Sequence, residues 1–479
     1  MIHLRPYQQQ LIADLRGALR RHRRVICQLP TGGGKTALAV HMMGTAAARG
    51  RVCWFVVHRQ ELIDQTSAAL WAQGLEHGLI VAGGHSHLAR LPIQVASVQT
   101  LVRRLDRLVP PDLIVVDECH RSCAPSYSRI LAAYPEAHVV GLTATPRRTD
   151  GQPLGALYGE IVSGPSMRWL IDQGFLSDYT IYSVGSADTS GIPMRGGDFA
   201  RDAAEAVMDR PAITGDAVEH YTQWANGLLA IAFCVSRVHA AHVCTAFNAA
   251  GIPAECITGA SSDADRRGAL ARFQAGQTLI LCTVELAIEG LNIPQARCAI
   301  VLRPTESMIV WRQACGRVLR PSPDGGPAVI LDAVCNAIHR DGSIHLGFPD
   351  DEIEWSLDGQ PKRQSDDEPE CPVRQCPACF AVHRPKPVCP GCGHVYEVVG
   401  REVEQVAGEL VELDVEAIRQ QRRAVQAKAR SLEDLVRVGI ERGMKSPEGW
   451  AAHVAAARRM GNINDLRARA RDIRRVLGE

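Results

Sequence analysis

Short apolar runs alternate along the first third of the chain with segments whose apolar residues recur at helical spacing. The runs at residues 51–57, 93–96, 113–116 and 138–142 have the continuous apolar character of strands that are buried on both faces. Residues 11–19 carry apolar side chains at the spacing of an amphipathic helix. This alternation predicts a parallel sheet with helices on both faces, and ligands bind such sheets at the carboxyl ends of the strands.

The alternation begins again after a weakly patterned segment, residues 148–227. That segment predicts a linker, a strand near residues 179–184 and a helix from 199 to 208. Beyond it, the pattern predicts a helix at residues 263–274 and strands at residues 228–235, 254–257, 278–283 and 299–302. We therefore expect a second α/β domain.

A glycine-rich loop stands between an apolar run and a helical segment near the N-terminus. It consists of Pro30, Thr31, Gly32, Gly33, Gly34, Lys35 and Thr36. Consecutive glycines let backbone N–H groups curl around an anion, and the helix N-terminus adds partial positive charge. Lys35 can reach the β- and γ-phosphates of a nucleotide, and the Thr36 hydroxyl can hold Mg²⁺. The strict phosphate-loop pattern has glycine where Leu29 stands, so the match is to a looser form.

An acidic pair, Asp117 and Glu118, follows the apolar run 113–116. At a strand end, one carboxylate can bind Mg²⁺ through water while its neighbour polarises an attacking water. Such a pair is often only a turn or a helix cap. Because a phosphate loop lies upstream, catalysis is the favoured interpretation here.

Two arginines near the end of the second domain lie three residues apart. Gln313, Gly316, Arg317 and Arg320 form the pattern Q-x-x-G-R-x-x-R. On a helix, Arg317 and Arg320 project from nearly one face, so they can clamp a γ-phosphate while Gln313 orients the water. A solvated basic helix end is the alternative, and the glutamine and glycine argue against it.

Four clustered cysteines predict a zinc ribbon. Two C-P-x-C knuckles, Cys376 with Cys379 and Cys389 with Cys392, have the spacing of a tetrahedral Cys₄ site. A pair of disulfides is the weaker alternative in a reducing compartment. So small a module cannot build a core, and zinc should be what folds it.

Composition restricts the class of protein. The chain has 479 residues, of which 46% are hydrophobic and 22% charged, and this is typical of a soluble protein of about three domains. The net charge is +1, so a nucleic-acid surface must come from local clustering. No apolar run approaches the roughly 18 residues that span a bilayer, and the N-terminus lacks the form of a secretory signal. We expect a cytoplasmic protein with no membrane partner.

The C-terminal stretch is basic and helical in pattern. Residues 416–479 contain 15 Lys/Arg and 8 Asp/Glu. Its arginines can lie along phosphates, although a charge run is more often only a solvated face. We expect nucleic-acid contact there.

Taken in order, the motifs resemble those of superfamily 2 helicases of the DExH type. The motifs are Arg5-x-x-Gln8, Gly34-Lys35-Thr36, Asp117-Glu118-Cys119-His120 and Thr143-Ala144-Thr145. The resemblance implies that Arg5 and Gln8 contact adenine, that Lys35, Thr36 and Asp117 bind phosphate and Mg²⁺, and that Glu118 activates water. It further implies that Thr143 and Thr145 couple ATP to nucleic acid, and that Arg59, Gln99 and Thr100 grip the backbone of one strand.

A second-domain motif, residues 283–294, resembles the family pattern T-x₆-G-x-D-x-P. It implies nucleic-acid contact by Thr283 and nucleotide contact by Gly290, and Asn292 stands where the family has aspartate. Asn292 can still form hydrogen bonds, but it carries no charge.

The resemblance is closest to the bacterial RadD-like group, through residues 4–9, residues 302–307 and the zinc module; phage-encoded helicases share the layout. It implies an ATP-dependent DNA helicase or translocase in repair, recombination or replication, with ATP, Mg²⁺ and Zn²⁺ as cofactors. The implied partners are single-stranded, forked or branched DNA and replication or repair proteins. An ATP-gated DNA clamp without strand separation and an RNA helicase remain as alternatives, RNA being the less favoured partner.

The fold class that follows is α/β, with two tandem RecA-like parallel-sheet domains, a zinc ribbon and a helical tail. The domains are predicted at residues 1–164 and 165–358, the linker at 359–370, the ribbon at 371–400 and the tail at 401–479.

Overall fold

A computed structural model gives the architecture of the chain. It describes residues 3–83, 90–148, 152–183, 189, 191–195, 198–284, 295–321, 325–339, 344–358, 373–396, 429, 431–441, 446–458, 460 and 462–476. The chain forms two compact units, residues 1–398 and residues 399–479.

The first sheet has seven strands, all parallel. They are β1 (Arg24–Gln28), β2 (Cys53–Val57), β3 (Gly78–Ile80), β4 (Ile93–Ser97), β5 (Leu113–Asp117), β6 (His138–Thr143) and β7 (Glu160–Ser163). Their order is β3-β4-β2-β5-β6-β1-β7. In this register Gln28 lies beside Thr143, and Asp117 lies beside Leu142. The carboxyl ends of β1, β5 and β6 therefore meet at one edge, where the phosphate loop and the acidic pair begin.

Helices cover both faces of this sheet. They are α1 (Pro6–Arg21), α2 (Lys35–Ala47), α3 (Gln60–Trp71), α4 (Val98–Leu101) and α5 (Pro125–Ala133), with short 3₁₀ turns at Leu105–Arg107 and Cys119–Arg121. Alternate strand residues enter different cores: Cys27 and Phe55 pack on one face, and Ile26 and Trp54 on the other. Because both faces are buried, the strands have the continuous apolar sequence that predicted them.

The second sheet has eight strands, two of which come from the cysteine-rich segment. Its members are β8 (Tyr179–Ser183), β11 (Ala230–Cys234), β12 (Ala254–Ile257), β13 (Ile280–Val284), β14 (Cys298–Val301), β15 (Ala328–Asp332), β16 (Arg374–Gln375) and β17 (Ala381–His383). A hairpin of β9 (Met194–Arg195) and β10 (Asp198–Phe199) stands outside it. The order is β12-β13-β11-β14-β15-β8-β17-β16. The first six strands are parallel, whereas β17 is antiparallel to β8.

The helices of this part are α6 (Met167–Asp172), α7 (Arg201–Met208), α8 (Pro211–Trp224), α9 (Arg237–Ala249), α10 (Asp263–Gln274) and α11 (Met308–Gly316). Helix α8 falls in the segment whose pattern predicted only a linker, one strand and one helix. Its buried residues Ile213, Ala217 and Tyr221 recur every four positions, but polar residues and Gly215 separate them and weaken the sequence signal.

The described residues of the C-terminal unit form three helices with their own core. They are α12 (Leu432–Glu441), α13 (Pro447–Ala457) and α14 (Ile463–Val476). Leu435, Val436, Ala451, Ala455 and Leu466 are buried among them. Helices are therefore present in the described part of the predicted helical tail; residues 401–428 and the linker at 359–370 lie outside the described residues. Within the part of the chain that the structure describes, no helix is long and apolar enough to cross a membrane.

Candidate active site

The glycine-rich loop forms a tight turn between β1 and α2. Gly32 and Gly34 have φ of 85° and 91°, a left-handed conformation that favours glycine. The N–H of Gly33 donates to the carbonyl of Pro30 at 3.0 Å, and α2 begins at Lys35. Leu29 is fully buried, and a Cβ added at Gly33 would lie 2.7 Å from its side chain. Leucine at position 29 thus packs beneath the loop, which explains why the looser motif is compatible with this turn.

Helix α1 supports the loop from one side. The phenolic hydroxyl of Tyr7 and the Nε2 of Gln8 both donate to the carbonyl of Gly33, at 2.9 and 3.0 Å. Oε1 of Gln8 accepts from the N–H of Arg5 at 2.9 Å, and the Arg5 guanidinium lies 4.6 Å from the ring centre of Phe175. Gln8 therefore holds the phosphate loop, and adenine contact by Arg5 and Gln8 stays a prediction. Nothing in the sequence pattern singles out Tyr7 beyond its place beside Gln8.

The acidic pair lies at the end of β5, next to the loop. The Asp117 carboxylate accepts from the N–H of Glu118 at 3.0 Å. Glu118 itself has φ of 47°, an uncommon conformation for a residue other than glycine. Its Oε2 lies 3.3 Å from Nδ1 of His120 and 3.4 Å from Oγ1 of Thr143. These contacts orient the Glu118 carboxylate.

The two carboxyls differ electrostatically. Burial, followed by the charge of Glu118, raises the pKa of Asp117 to about 7. Burial also acts to raise the pKa of Glu118, but the His120 hydrogen bond and the charges of Lys35 and Arg317 outweigh it, and the pKa falls to about 2. The Glu118 carboxylate is therefore ionised near pH 7, and His120 and Thr143 hold it in place.

The donor set at this edge fits Mg²⁺. The Asp117 carboxylate and the Thr36 hydroxyl supply oxygen ligands of the kind that this ion prefers. Burial and the charge of Glu118 disfavour the ionised form of Asp117, and a divalent cation bound there would favour that form. Lys35 itself donates to the carbonyl of Leu29 at 3.4 Å.

The two threonines that were expected to couple ATP to nucleic acid, Thr143 and Thr145, lie at the end of β6 beside the acidic pair. Oγ1 of Thr143 lies 3.2 Å from Nδ1 of His120 and accepts from the N–H of Thr145 at 3.1 Å. Both threonines are buried. Thr143 thus contacts Glu118 and His120 directly, and Thr145 contacts Thr143.

Helix α11 brings the second domain against the phosphate loop. A Cβ added at Gly316 would lie 2.9 Å from Cβ of Thr31, so the helix end and the loop are in close contact. The positive charge of Arg317 lowers the pKa of Glu118 across the cleft. Burial, followed by the charge of Arg317, lowers the pKa of Arg320 to about 10. Gln313 is buried, and its Nε2 has no hydrogen-bond partner among the described residues.

The residues predicted to grip nucleic acid meet around His58, which the sequence did not single out. Nε of Arg59 lies 3.2 Å and Nη1 of Arg121 3.0 Å from Nε2 of His58. Nε2 of Gln99 donates to the His58 carbonyl at 3.2 Å. Burial, followed by the charges of Arg121 and Arg59, lowers the pKa of His58 to about 4. His58 is therefore neutral near pH 7, and its Nε2 accepts from the two arginines.

The other predicted contacts are more scattered. Thr100 is half-buried in α4, and Thr283 is buried in β13 of the other sheet. Gly290 and Asn292 lie outside the described residues.

The four cysteines form a compact cluster. Their sulfurs lie within 4.8 Å of one another, with Sγ of Cys376 and Cys392 and Sγ of Cys379 and Cys389 each 3.7 Å apart. A tetrahedral zinc site with Zn–S bonds of about 2.3 Å separates its sulfurs by about 3.8 Å. Disulfides would require about 2.05 Å, so the cluster fits zinc and not the disulfide alternative.

The two histidines of the ribbon are outside this ligand set. Nε2 of His383 lies 2.7 Å from the Tyr396 hydroxyl, and Nδ1 lies 2.7 Å from the carbonyl of Arg384. The ring of His394 packs edge-on against Tyr396. Zinc at the four thiols would hold the two knuckles together, which is a structural role.

Comparison with known proteins agrees with this geometry. Residues 1–148 match the family described as type III restriction enzyme, res subunit, and residues 216–322 match the helicase conserved C-terminal domain. A 51.5 kDa protein of a Lactococcus phage is 29% identical over 374 residues, which cover 78% of each chain. A protein of Schizosaccharomyces pombe, described as a mitochondrial ATP-dependent helicase, irc3, is 29% identical over 382 residues. That alignment covers 74% of this chain and 61% of the yeast protein.

Among solved structures, a fragment of an HsdR subunit of a type I restriction enzyme from Vibrio vulnificus shares the fold. Its TM-score is 0.55 at 22% identity, over 70% of this chain and 65% of that one. The two domain matches and the ATP-dependent helicase relative lead to one conclusion: the chain is an ATP-hydrolysing enzyme with two helicase domains, and it is similar to superfamily 2 helicases.

Proposed function

We propose that this protein is a DNA translocase that separates strands, with ATP hydrolysed between its two sheets. The observation that carries the proposal is the close contact between Gly316, at the end of α11 in the second domain, and Thr31 of the phosphate loop in the first. Arg317 directly follows Gly316, and its charge lowers the pKa of Glu118. A site that is completed by a second domain can be switched by whatever docks that domain. In a helicase, the docking ligand is nucleic acid.

The first domain supplies binding and base chemistry. The loop amides and Lys35 would hold the β- and γ-phosphates of ATP. Mg²⁺, when bound by Thr36 and Asp117, supplies charge neutralisation at the phosphate oxygens. Glu118, kept ionised and oriented by His120, would accept a proton from the attacking water.

The second domain supplies charge stabilisation. Arg317 and Arg320 would neutralise charge that develops on the γ-phosphate, in the manner of arginine fingers. Gln313, with an amide nitrogen that is buried without a partner among the described residues, is a candidate for orienting water or phosphate. Because these groups reach the loop through α11, hydrolysis should depend on closure of the cleft.

The contacts around His58 support a route from nucleic acid to the catalytic base. Arg59 and Gln99 contact His58, and His58 contacts Arg121. Arg121 ends the 3₁₀ turn that follows Glu118 directly. A nucleic-acid strand bound by Arg59 and Gln99 would therefore be linked to the loop that holds Glu118 through two contacts. The first joins Arg59 or Gln99 to His58, and the second joins His58 to Arg121.

The C-terminal unit offers a further phosphate-binding face. Arg467, Arg471 and Arg475 are exposed on α14 at intervals of four residues, so they share one side of the helix. They stand about 6 Å apart along its axis, near the rise of two nucleotides, about 6.8 Å. The spacing suits contact with a nucleic-acid backbone.

DNA is the proposed nucleic acid, and repair, recombination or replication is the proposed context, both from the RadD-like resemblance of the sequence. The test is ATP turnover with single-stranded, duplex and forked DNA and with RNA of matched length. We expect single-stranded or forked DNA to stimulate turnover most. Stronger stimulation by RNA would make the protein an RNA helicase.

Strand separation is tested separately from movement. Displacement of streptavidin from the end of a biotinylated single strand reports translocation, and a labelled fork reports unwinding. We expect ATP-dependent signals in both assays. DNA-stimulated hydrolysis without either signal would contradict translocation and favour an ATP-gated clamp.

A further inference from the structure

A buried carboxylate joins three parts of the structure that are distant in sequence. The side chain of Asp350 is fully buried. Its oxygens accept from the Tyr179 hydroxyl in β8, from Nη1 of Arg168 in α6 at 3.3 Å, and from the guanidinium of Arg384 at 3.3 and 3.4 Å. Arg384 also donates to the carboxylate of Asp351 at 2.9 Å. Two arginines thus compensate a charge that would otherwise be costly to bury.

Arg384 belongs to the cysteine ribbon. It follows β17 directly, and β17 pairs antiparallel with β8, where Ala381 lies opposite Tyr182. The ring of Tyr182 packs against the cysteine cluster. The position of Arg384 is therefore set by the knuckles, and zinc at the four thiols would fix it.

The other side of the same segment holds α11. The Trp311 indole N–H donates to the carbonyl of Gly347 at 3.0 Å, and Nη2 of Arg312 donates to the carbonyl of Asp351. Trp311 is 1% exposed, so the helix is anchored firmly. Residues 347–351 thus lie between the ribbon and helix α11, which ends at Gly316 directly before Arg317.

The substitution of Arg384 has a defined expected effect. Asp350 would keep Arg168 and Tyr179 as partners, so the carboxylate would not be left without compensation. Asp351 would lose the arginine that holds it toward the ribbon, while its contact with Arg312 would remain. The consequence should be a shift of α11, with the fold retained.

We propose that Arg384 and Asp350 are positioning residues for Arg317 and Arg320, which follow α11, so that the zinc ribbon braces the ATP site. The ribbon then supports the hydrolytic site through Arg384 and the segment that contacts α11. This inference rests on the proposed roles of Arg317 and Arg320 in hydrolysis. It does not depend on which nucleic acid the protein binds.

The test compares Arg384→Ala, Arg384→Lys and Arg374→Ala in the full chain. Arg374 is the matched control, since its guanidinium lies 4.4 Å from the ring centre of Tyr396 within the ribbon. The measurements are zinc per chain, thermal unfolding, and kcat and KM for ATP without nucleic acid and with saturating DNA. Arg317→Ala, measured in parallel, reports whether the arginine contributes to hydrolysis at all.

We expect the Arg384→Ala variant to keep its zinc and to have a kcat about tenfold lower than the wild type, with KM for ATP within about twofold. The reason is that a displaced Arg317 stabilises the transition state less, while nucleotide binding is unaffected. Arg384→Lys should recover part of the rate, and Arg374→Ala should match the wild type. Wild-type kcat in an Arg384→Ala variant that keeps its zinc would contradict the proposal that the zinc ribbon positions the arginines at the ATP site. If Arg317→Ala also hydrolyses ATP normally, the proposed site fails as well, and the two failures are distinguishable.

Discussion

The substitution Gly316→Ala tests the contact between the two domains at the ATP site, because it adds a Cβ atom at the end of α11. This Cβ would lie 2.9 Å from Cβ of Thr31, with Cγ2 and Oγ1 at 3.3 and 3.4 Å. Carbon atoms make favourable contact at about 3.5–4.0 Å, so α11 and the loop must separate by about 0.6–1.1 Å. Thr31 is a short side chain on the phosphate loop and has no flexible end that could move aside.

The displacement should reduce hydrolysis without weakening the fold. A misplacement of about 1 Å can cost about 100-fold in rate, which corresponds to about 2.7 kcal/mol. We therefore expect Gly316→Ala to lower kcat about 10- to 100-fold. Glycine in a helix is less favourable than alanine by about 0.5–1 kcal/mol, and this gain offsets the strain of the contact. Thermal stability should thus stay close to that of the wild type.

The assay combines steady-state ATP turnover with binding of a fluorescent ATP analogue and thermal unfolding. The matched control is Gly215→Ala in α8, where an added Cβ meets no atom within 4 Å. Nucleotide affinity should change little, because Lys35 and the loop amides belong to the first domain. Turnover of Gly316→Ala within about twofold of the control would refute the claim that this contact forms in the hydrolysing state.

Three further results are expected. Glu118→Gln should abolish ATP turnover while ATP still binds, because a neutral amide cannot accept the proton. The control Glu136→Gln, at an exposed glutamate, should leave turnover unchanged. Turnover by Glu118→Gln above about a tenth of the wild-type rate would argue against Glu118 as the base. Chelation should remove about one zinc per chain and lower the unfolding temperature by several degrees, and adding zinc back should restore it. An unchanged melting curve after zinc removal would contradict a role of zinc in folding. Replacing Arg467, Arg471 and Arg475 by glutamine should make the slope of log binding constant against log salt concentration, for duplex DNA, shallower by about 2.7. The single change Arg469→Gln on the same helix should alter this slope less. An unchanged slope in the triple variant would show that α14 does not contact DNA.

The parts of the site that sequence predicts are those whose chemistry is local. The glycine turn, the acidic pair after a buried strand and the two C-P-x-C knuckles each carry their chemistry within a few residues. The structure brings Lys35, Asp117 and Glu118 to one sheet edge, because parallel strands end together. Arg317 joins them from the far end of the next domain.

The parts that sequence does not predict depend on long-range packing. Tyr7 and Gln8 bind the Gly33 carbonyl, and nothing in a helical pattern indicates which backbone atom a helix will contact. The sequence does not distinguish His58 from the other histidines of the chain. The structure does, because Arg59 and Arg121 both contact its Nε2. The ribbon was predicted as a separate small module, yet β17 pairs with β8, about 200 residues earlier in the chain. Register between such distant strands leaves no local sequence signal.

The measurement that tests the central claim most directly is ATP binding and ATP turnover by Arg317→Ala, in the presence of saturating single-stranded DNA. If the two domains together form the hydrolytic site, the variant should bind ATP with nearly wild-type affinity and lose about 1,000-fold or more in kcat, the loss expected when an arginine finger is removed. Wild-type turnover in this variant would show that the first domain hydrolyses ATP without the arginine that faces Glu118, and it would contradict the account.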